Sequence, residues 1–253
     1  MNTLMKKKNE SSEQLNIQLF LLCMLAALLC RRLGKISSLR IICGMLRTMI
    51  YVGVYIGWGI SIYKRVIQKS VRNVLIFIAE LIIFWFVVRT TKYFFTMDNQ
   101  IARYLWYSYY IPMLFIPVAV LQAAFFLGKS EEYRLPKWLK GVYIPTAVLV
   151  LLVLSNDLHQ LVFSFQVGSA WSDSHYTYGW GYYVVLVWEV VCALTVFVLM
   201  IYKCRHSQKK KYLPLLGIGA TVLYSVLFIS GVAWVQEIGG DITAVLCLFF
   251  VGI

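Results

Sequence analysis

Long apolar runs separated by short clusters of Lys and Arg constrain this chain more than any other feature. Runs 41–63, 74–88, 104–127, 141–154, 182–202, 213–235 and 242–253 are each read as a span; a helix needs about 20 mostly apolar residues to cross a bilayer. Hydrophobic residues make up 60% of the chain. A soluble domain of this length is only about half apolar. The expected fold is therefore an all-α membrane protein of about seven transmembrane helices, with one further hydrophobic segment at the N-terminus.

Residues 1–38 are read as a basic and hydrophobic anchor or signal-like segment, and residues 39–253 as the membrane domain. Lys6, Lys7 and Lys8 precede the apolar run 17–30, which Arg31 and Arg32 stop. The run is short for a span and has the length of a signal-peptide core. It carries no convincing small-residue cleavage site, so it is expected to stay as an uncleaved anchor.

The formal net charge of +13 is concentrated between spans. Lys64, Arg65, Lys69 and Arg72 form one basic loop. Lys129, Arg134, Lys137 and Lys140 form a second, and Lys203, Arg205, Lys209, Lys210 and Lys211 a third. The connections between these loops are acidic or neutral. Cytoplasmic loops carry the excess of Lys and Arg, so the three basic loops are expected inside a plasma membrane. Arg31, Arg32, Lys35 and Arg40 run against this alternation. Topology and contact with anionic lipid account for the positive charge, so the lipid bilayer is the expected partner and nucleic acid is not. The six cysteines lie mostly inside apolar runs and none pairs as CxxC, so neither a disulfide framework nor a zinc site of that type is indicated.

The connection 155–183 stands apart. It is the longest between spans and contains no Lys or Arg, which places it on the external face. Leu161, Phe163 and Phe165 alternate with other residues, as do Tyr176 and Tyr178 beyond the Gly168-Ser169 turn signal. That period-2 pattern predicts a short extracellular β-hairpin between the fourth and fifth spans.

Candidate ligand-sensing residues collect there. Asp157 and His159, and again Asp173 and His175, repeat an Asp-x-His pattern. Such residues can ligate zinc, yet spacing alone does not make a metal site, and solvated turns with capping aspartates explain them as well. No metal or other cofactor is expected. Histidine also titrates near pH ~6.5, which leaves a pH-sensing role open. Trp171, Tyr178, Trp180 and their neighbours fit either a ligand pocket or the aromatic belt of a membrane boundary.

Glu80 and Glu189 lie inside apolar runs. A charged side chain at bilayer depth costs about 2.5–3.5 kcal/mol on insertion scales, so both are expected to face the bundle and find partners such as Arg47, Arg89 or a tyrosine hydroxyl. Gly179 and Gly181 read as pivots for the hairpin above. Together these residues predict a small cavity closed by Trp171 and Trp180 and floored by Glu189. No nucleophile–base pair, phosphate loop or HExxH motif appears, so no catalytic residue is assigned.

Several segments carry a wider likeness: 105–118 (LWYSYYIPMLFIPV), 135–140 (LPKWLK), 156–163 (NDLHQLVF), 176–183 (YTYGWGYY) and 240–250 (GDITAVLCLFF). From about Leu39 onward the chain resembles the N-terminal seven-transmembrane sensor region of bacterial histidine kinases. The resemblance implies seven spans, an outside N-terminus and a homodimer. It also implies a cytoplasmic kinase module that follows the last span and passes phosphate to a response regulator. The sequence stops at Ile253 inside that last span. His206 lacks the acidic-hydrophobic context of a phosphoacceptor, and no ATP lid is present. The expected function is a membrane input domain that relays an external stimulus or ligand, with the kinase output lying elsewhere. The alternative is a small multi-span transporter, which would favour broken helices in paired repeats. Pro112 and Pro117 have no counterpart in the second half of this chain.

Overall fold

A computed structural model describes residues 2–94, 99–126, 128–165 and 176–204, together with Gly219, Ala220, Leu223, Tyr224, Leu227, Ser230, Val232 and Val235. Helix α1 spans Asn2–Leu33, α2 Arg40–Arg65, α3 Lys69–Phe94, α4 Asn99–Tyr107 and α5 Tyr110–Phe126. Short α6 (Lys137–Gly141) leads into α7 (Tyr143–Leu154) and α8 (Asn156–His159). Two-residue strands β1 (Phe163–Ser164) and β2 (Thr177–Tyr178) precede α9 (Trp180–Cys204). Five of the described helical stretches are long and apolar enough to cross a membrane: Arg40–Arg65, Lys69–Lys92, Gln100–Phe126, Lys137–Leu154 and Trp180–Lys203. They fall on the first five runs read from the sequence. The runs at 213–235 and 242–253 lie almost wholly outside the described residues.

Helix α1 continues well upstream of its apolar run, because Lys, Glu and Gln in the polar stretch are good helix formers. A short connector with a 3-10 turn at Ser37–Leu39 joins it to α2, so the two pack as an antiparallel pair. Ala27 of α1 is buried against Tyr51 and Tyr55 of α2, beside Ile78, Ile82 and Phe86 of α3 and Ala119 of α5. Tyr51 and Phe86 stack at 4.9 Å, and the Thr48 and Thr90 hydroxyls join α2 to α3.

Helix α5 is the central element. Leu114, Val118 and Ala119 are each 0% exposed, and α3, α7 and α9 all pack against it. Proline explains its start. Pro112 has no amide proton and its ring crowds the carbonyl four residues back, that of Ser108. The helical path breaks there, at Ser108–Tyr109, which separates α4 from α5. Pro117, by contrast, is carried inside α5.

The bundle has two unlike ends. At one, the α2–α3 and α5–α6 connections meet: the Gln68 side chain donates to the Ser130 carbonyl at 3.1 Å. Lys203 at the foot of α9 donates to the Phe125 carbonyl at 2.7 Å. At the other, the ends of α4 and α7 meet the two strands and the start of α9. The α1–α2 turn, with Arg31, Arg32, Lys35 and Arg40, follows the chain to this second end, so those cations run against the charge alternation of the other loops.

Candidate functional site

The second end is closed by a clasp built around Asn156. Its side chain is fully buried and makes four hydrogen bonds. Its oxygen accepts from the Val162 and Phe163 amides at 2.9 and 3.0 Å. Its nitrogen donates to the Phe163 carbonyl at 2.8 Å and to the Tyr107 hydroxyl at 3.1 Å. An asparagine amide has both donor and acceptor capacity, which lets one side chain satisfy backbone that leaves a helix end. The chain reverses just beyond it: Gln160 adopts φ +50°, and its amide donates to the Asn156 carbonyl at 2.6 Å.

Asp157 works beside Asn156. One carboxylate oxygen accepts from the Tyr107 hydroxyl at 2.7 Å, and the other pairs with Arg103 at 2.7 Å. Arg103 also lies 5.6 Å from the Phe165 ring centre. Both ion-pair partners are half-buried, so the pair is shielded more than a free surface bridge. His159 is held at both ring nitrogens. Nδ1 accepts the Leu161 amide at 3.0 Å, while Nε2 lies 3.1 Å from the Leu152 carbonyl and 3.2 Å from the Ser155 hydroxyl. This network assigns the neutral tautomer with the proton on Nε2. Asp157 and His159, read as possible metal ligands, thus point at partners of their own. Asp173, His175 and Trp171 lie outside the described residues.

Phe163 is what the clasp delivers. Strands β1 and β2 pair antiparallel, Phe163 opposite Tyr178 and Ser164 opposite Thr177. The alternation sends Phe163 inward, where it is 0% exposed, and Ser164 outward. Ring centres of Trp106, Tyr107, Tyr110, Tyr176, Tyr178 and Tyr182 lie between 4.6 and 6.3 Å from that of Phe163. Those rings come from either side of the α4–α5 break, from the second strand and the residue before it, and from the first turn of α9. Burial of one phenyl side chain contributes about 1.5–3 kcal/mol, and the ring contacts add to it.

The cavity expected beneath the strands involves Trp171, which lies outside the described residues. Among the described residues, Phe163 and its ring of neighbours occupy the space between the strands and the start of α9. Trp180 is 61% exposed on the first turn of α9. Tyr178 is half exposed and stacks on Tyr182 at 4.1 Å.

The two glycines are corrected. A Cβ on Gly179 would collide with the Leu161 carbonyl oxygen, and one on Gly181 would meet the same oxygen at 3.0 Å. Their amides donate to the Val162 and Leu161 carbonyls, each at 2.9 Å. They are points of close approach that fasten the start of α9 to the clasp, and not pivots.

The two membrane carboxyls part ways. Glu189 lies two turns below Tyr182 on α9. Its Oε1 is out of solvent and has no hydrogen-bond partner among the described residues, as is true of the neighbouring Trp188 Nε1. Glu80 faces outward on α3, contrary to expectation. Ile78, Ala79, Leu81, Ile82 and Phe86 bury one side of that helix, and at 3.6 residues per turn Glu80 falls on the other. Arg89, a candidate partner, instead lies 5.5 Å from the Trp85 ring centre.

Sequence reasoning marked Asp157 and His159 but missed Arg103, Tyr107, Asn156 and Phe163 as their company. The signal available was an asparagine at the foot of an apolar run, a residue type that binds its own backbone in turns.

A family model described as the N-terminal 7TM region of histidine kinase matches residues 41–253, and the chain belongs to that family. No curated protein and no solved structure matches it. With five helical stretches apolar enough to span a bilayer among the described residues, it is a multi-pass membrane protein.

Proposed function

We propose that this chain is the input region of a bacterial histidine kinase and relays an external stimulus through its helix bundle. The Asn156 clasp faces outside, and the loops carrying Lys64 to Arg72 and Lys129 to Lys140 face the cytoplasm. Runs 213–235 and 242–253 supply the sixth and seventh spans, residues 1–38 form an anchor before the membrane domain, and two copies act as a homodimer. The last span leads to a cytoplasmic kinase module that serves a response regulator.

The observation that carries this reading is the fastening of α9 to the clasp through Gly179 and Gly181. A disturbance of the 166–175 connection, which holds Trp171, Asp173 and His175, reaches β1 and β2 directly and α9 through them. Asp157, His159, Tyr178, Trp180 and Glu189 lie along that route, while Glu80 on the outer side of α3 stands apart from it. A stimulus acts only by favouring one bundle arrangement over another.

The test uses the whole kinase carrying this region, in membranes. Asp157→Asn releases Arg103 and loosens the clasp without changing its size. Coupling between distant sites is commonly 1–3 kcal/mol, so basal autophosphorylation should shift by about fivefold or more. An unchanged level, at wild-type membrane abundance, refutes the relay.

A further inference from the structure

The opposite end of the bundle gathers cations and exposed apolar side chains. Three pieces of chain meet there through named contacts. Gln68 of the α2–α3 connection reaches the Ser130 carbonyl. Lys129, next to Ser130, stands four residues beyond Phe125, and its ammonium lies 5.3 Å from the Tyr133 ring centre. Lys203 donates to the Phe125 carbonyl, and the Phe125 ring meets Trp138 edge-on at 5.7 Å. A continuous seat therefore runs from Gln68 past Lys129 and Lys203 to Trp138.

Its charge is lopsided. Arg72 lies 4.8 Å from the Tyr63 ring centre, and its buried Nε has no hydrogen-bond partner among the described residues. Lys64 and Arg65 end α2 and Lys69 opens α3, on either side of the same connection. Glu131 and Glu132 are the acids of the neighbouring loop, and both are exposed. Lys129 and Lys203, brought to one end by the close of α5 and the Phe125 carbonyl, suit a ligand that brings negative charge and several acceptor oxygens. A phosphate ester has both.

Its apolar rim says where that phosphate comes from. Ile67 is 85% exposed at the tip of the α2–α3 connection, and Trp138 is 62% exposed between Lys137 and Lys140. A bare isoleucine and tryptophan set among cations belong at the boundary of headgroups and acyl chains, where tryptophan is enriched. Water offers them nothing.

We propose that this seat binds the phosphate headgroup of an anionic phospholipid, with Lys129 and Lys203 on the headgroup and Ile67 and Trp138 beside its acyl chains. The inference does not depend on the sensor reading, because lipid is bound whether or not a kinase follows.

The test is lipid retention. The full chain is reconstituted in nanodiscs containing phosphatidylglycerol and phosphatidylcholine in equal amounts, released into detergent, and weighed with its retained lipids by native mass spectrometry. Wild type should keep phosphatidylglycerol in preference. Each Lys near an anionic surface is worth about fivefold in binding, so Lys129→Gln should cut that preference by about fivefold and Lys129→Arg should keep it. Trp138→Ala should reduce retention of both lipids. Helical content and melting in pure phosphatidylcholine serve as the check on folding. Equal retention of the two lipids by wild type, or an unaltered preference in Lys129→Gln, overturns the proposal. So does displacement of phosphatidylglycerol by millimolar inorganic phosphate, which would make the seat one for a soluble anion.

Discussion

Replacing Asn156 by alanine should unfasten the clasp while leaving the membrane helices in place. The substitution removes four hydrogen bonds in a site with no solvent. Tyr107 keeps its bond to Asp157. The Val162 and Phe163 amides and the Phe163 carbonyl lose their partner. Each buried group left unpaired costs about 1–3 kcal/mol, so the three together come to about 3–6 kcal/mol with some relief from entering water. The assay is amide hydrogen exchange in nanodiscs, read on peptides covering 160–165 and 177–182. A loss of 3 kcal/mol accelerates exchange by about 100-fold, since each 1.4 kcal/mol is a factor of ten. Peptides from α3 and α5 should keep wild-type rates. Ser164→Ala, on the outward side of the same strand, is the control and should change nothing. Exchange within about threefold of wild type in Asn156→Ala would show that the side chain does not hold these strands, and the account of the clasp would be wrong.

Gly179→Ala should destabilise the same peptides far more than Gly181→Ala, because the first methyl collides with the Leu161 carbonyl and the second meets it at 3.0 Å; equal effects would point back to a pivot. A double-mutant cycle of Arg103→Gln and Asp157→Asn, read by melting temperature, should give a coupling of about 1 kcal/mol, the upper end for pairs that solvent still reaches. Zero coupling would leave the pair ornamental. Reporter fusions after Arg72, Lys140 and Lys210 should be cytoplasmic and one at Ser169 external; a cytoplasmic Ser169 reporter reverses the proposed orientation.

The spans were readable because length and apolarity are local and additive. Run 41–63 lies inside α2 and run 182–202 inside α9, each within a few residues of the helix ends. Helix α3 extends past its run to Phe94 because Arg89 and Lys92 rest on the Trp85 and Tyr109 rings, which carry their charge along the apolar surface. The clasp was only half readable. Period 2 indicated that Phe163 and Tyr178 alternate, but not that six rings close over Phe163. Arg103 and Tyr107 are about 50 positions from the residues they bind, and no local pattern records such a pairing. Glycine is ambiguous in the same way: at Gly179 the missing side chain makes room for Leu161, a neighbour that sequence spacing does not reveal.

Helix α9 is suited to move as a piece, and its two ends decide where it sits. It is one helix of 25 residues, packed on α5 and joined to β2 at its start. Val185 and Cys192 are its buried apolar residues among those described. At its ends it is fastened by the Gly179 and Gly181 amides at the clasp and by the Lys203 ammonium on the Phe125 carbonyl. At 1.5 Å per residue these points lie about 35 Å apart. If α9 carries the relay, the lower fastening must matter to an upper disturbance. Lys203→Met cuts the lower fastening and leaves the clasp alone. In the whole kinase, Asp157→Asn should shift autophosphorylation in the wild-type background and do so much less in the Lys203→Met background, while hydrogen exchange at 177–182 stays as in Asp157→Asn alone. Sites this far apart with no shared partner otherwise combine additively. Additive shifts would therefore mean that the signal leaves the clasp by another helix.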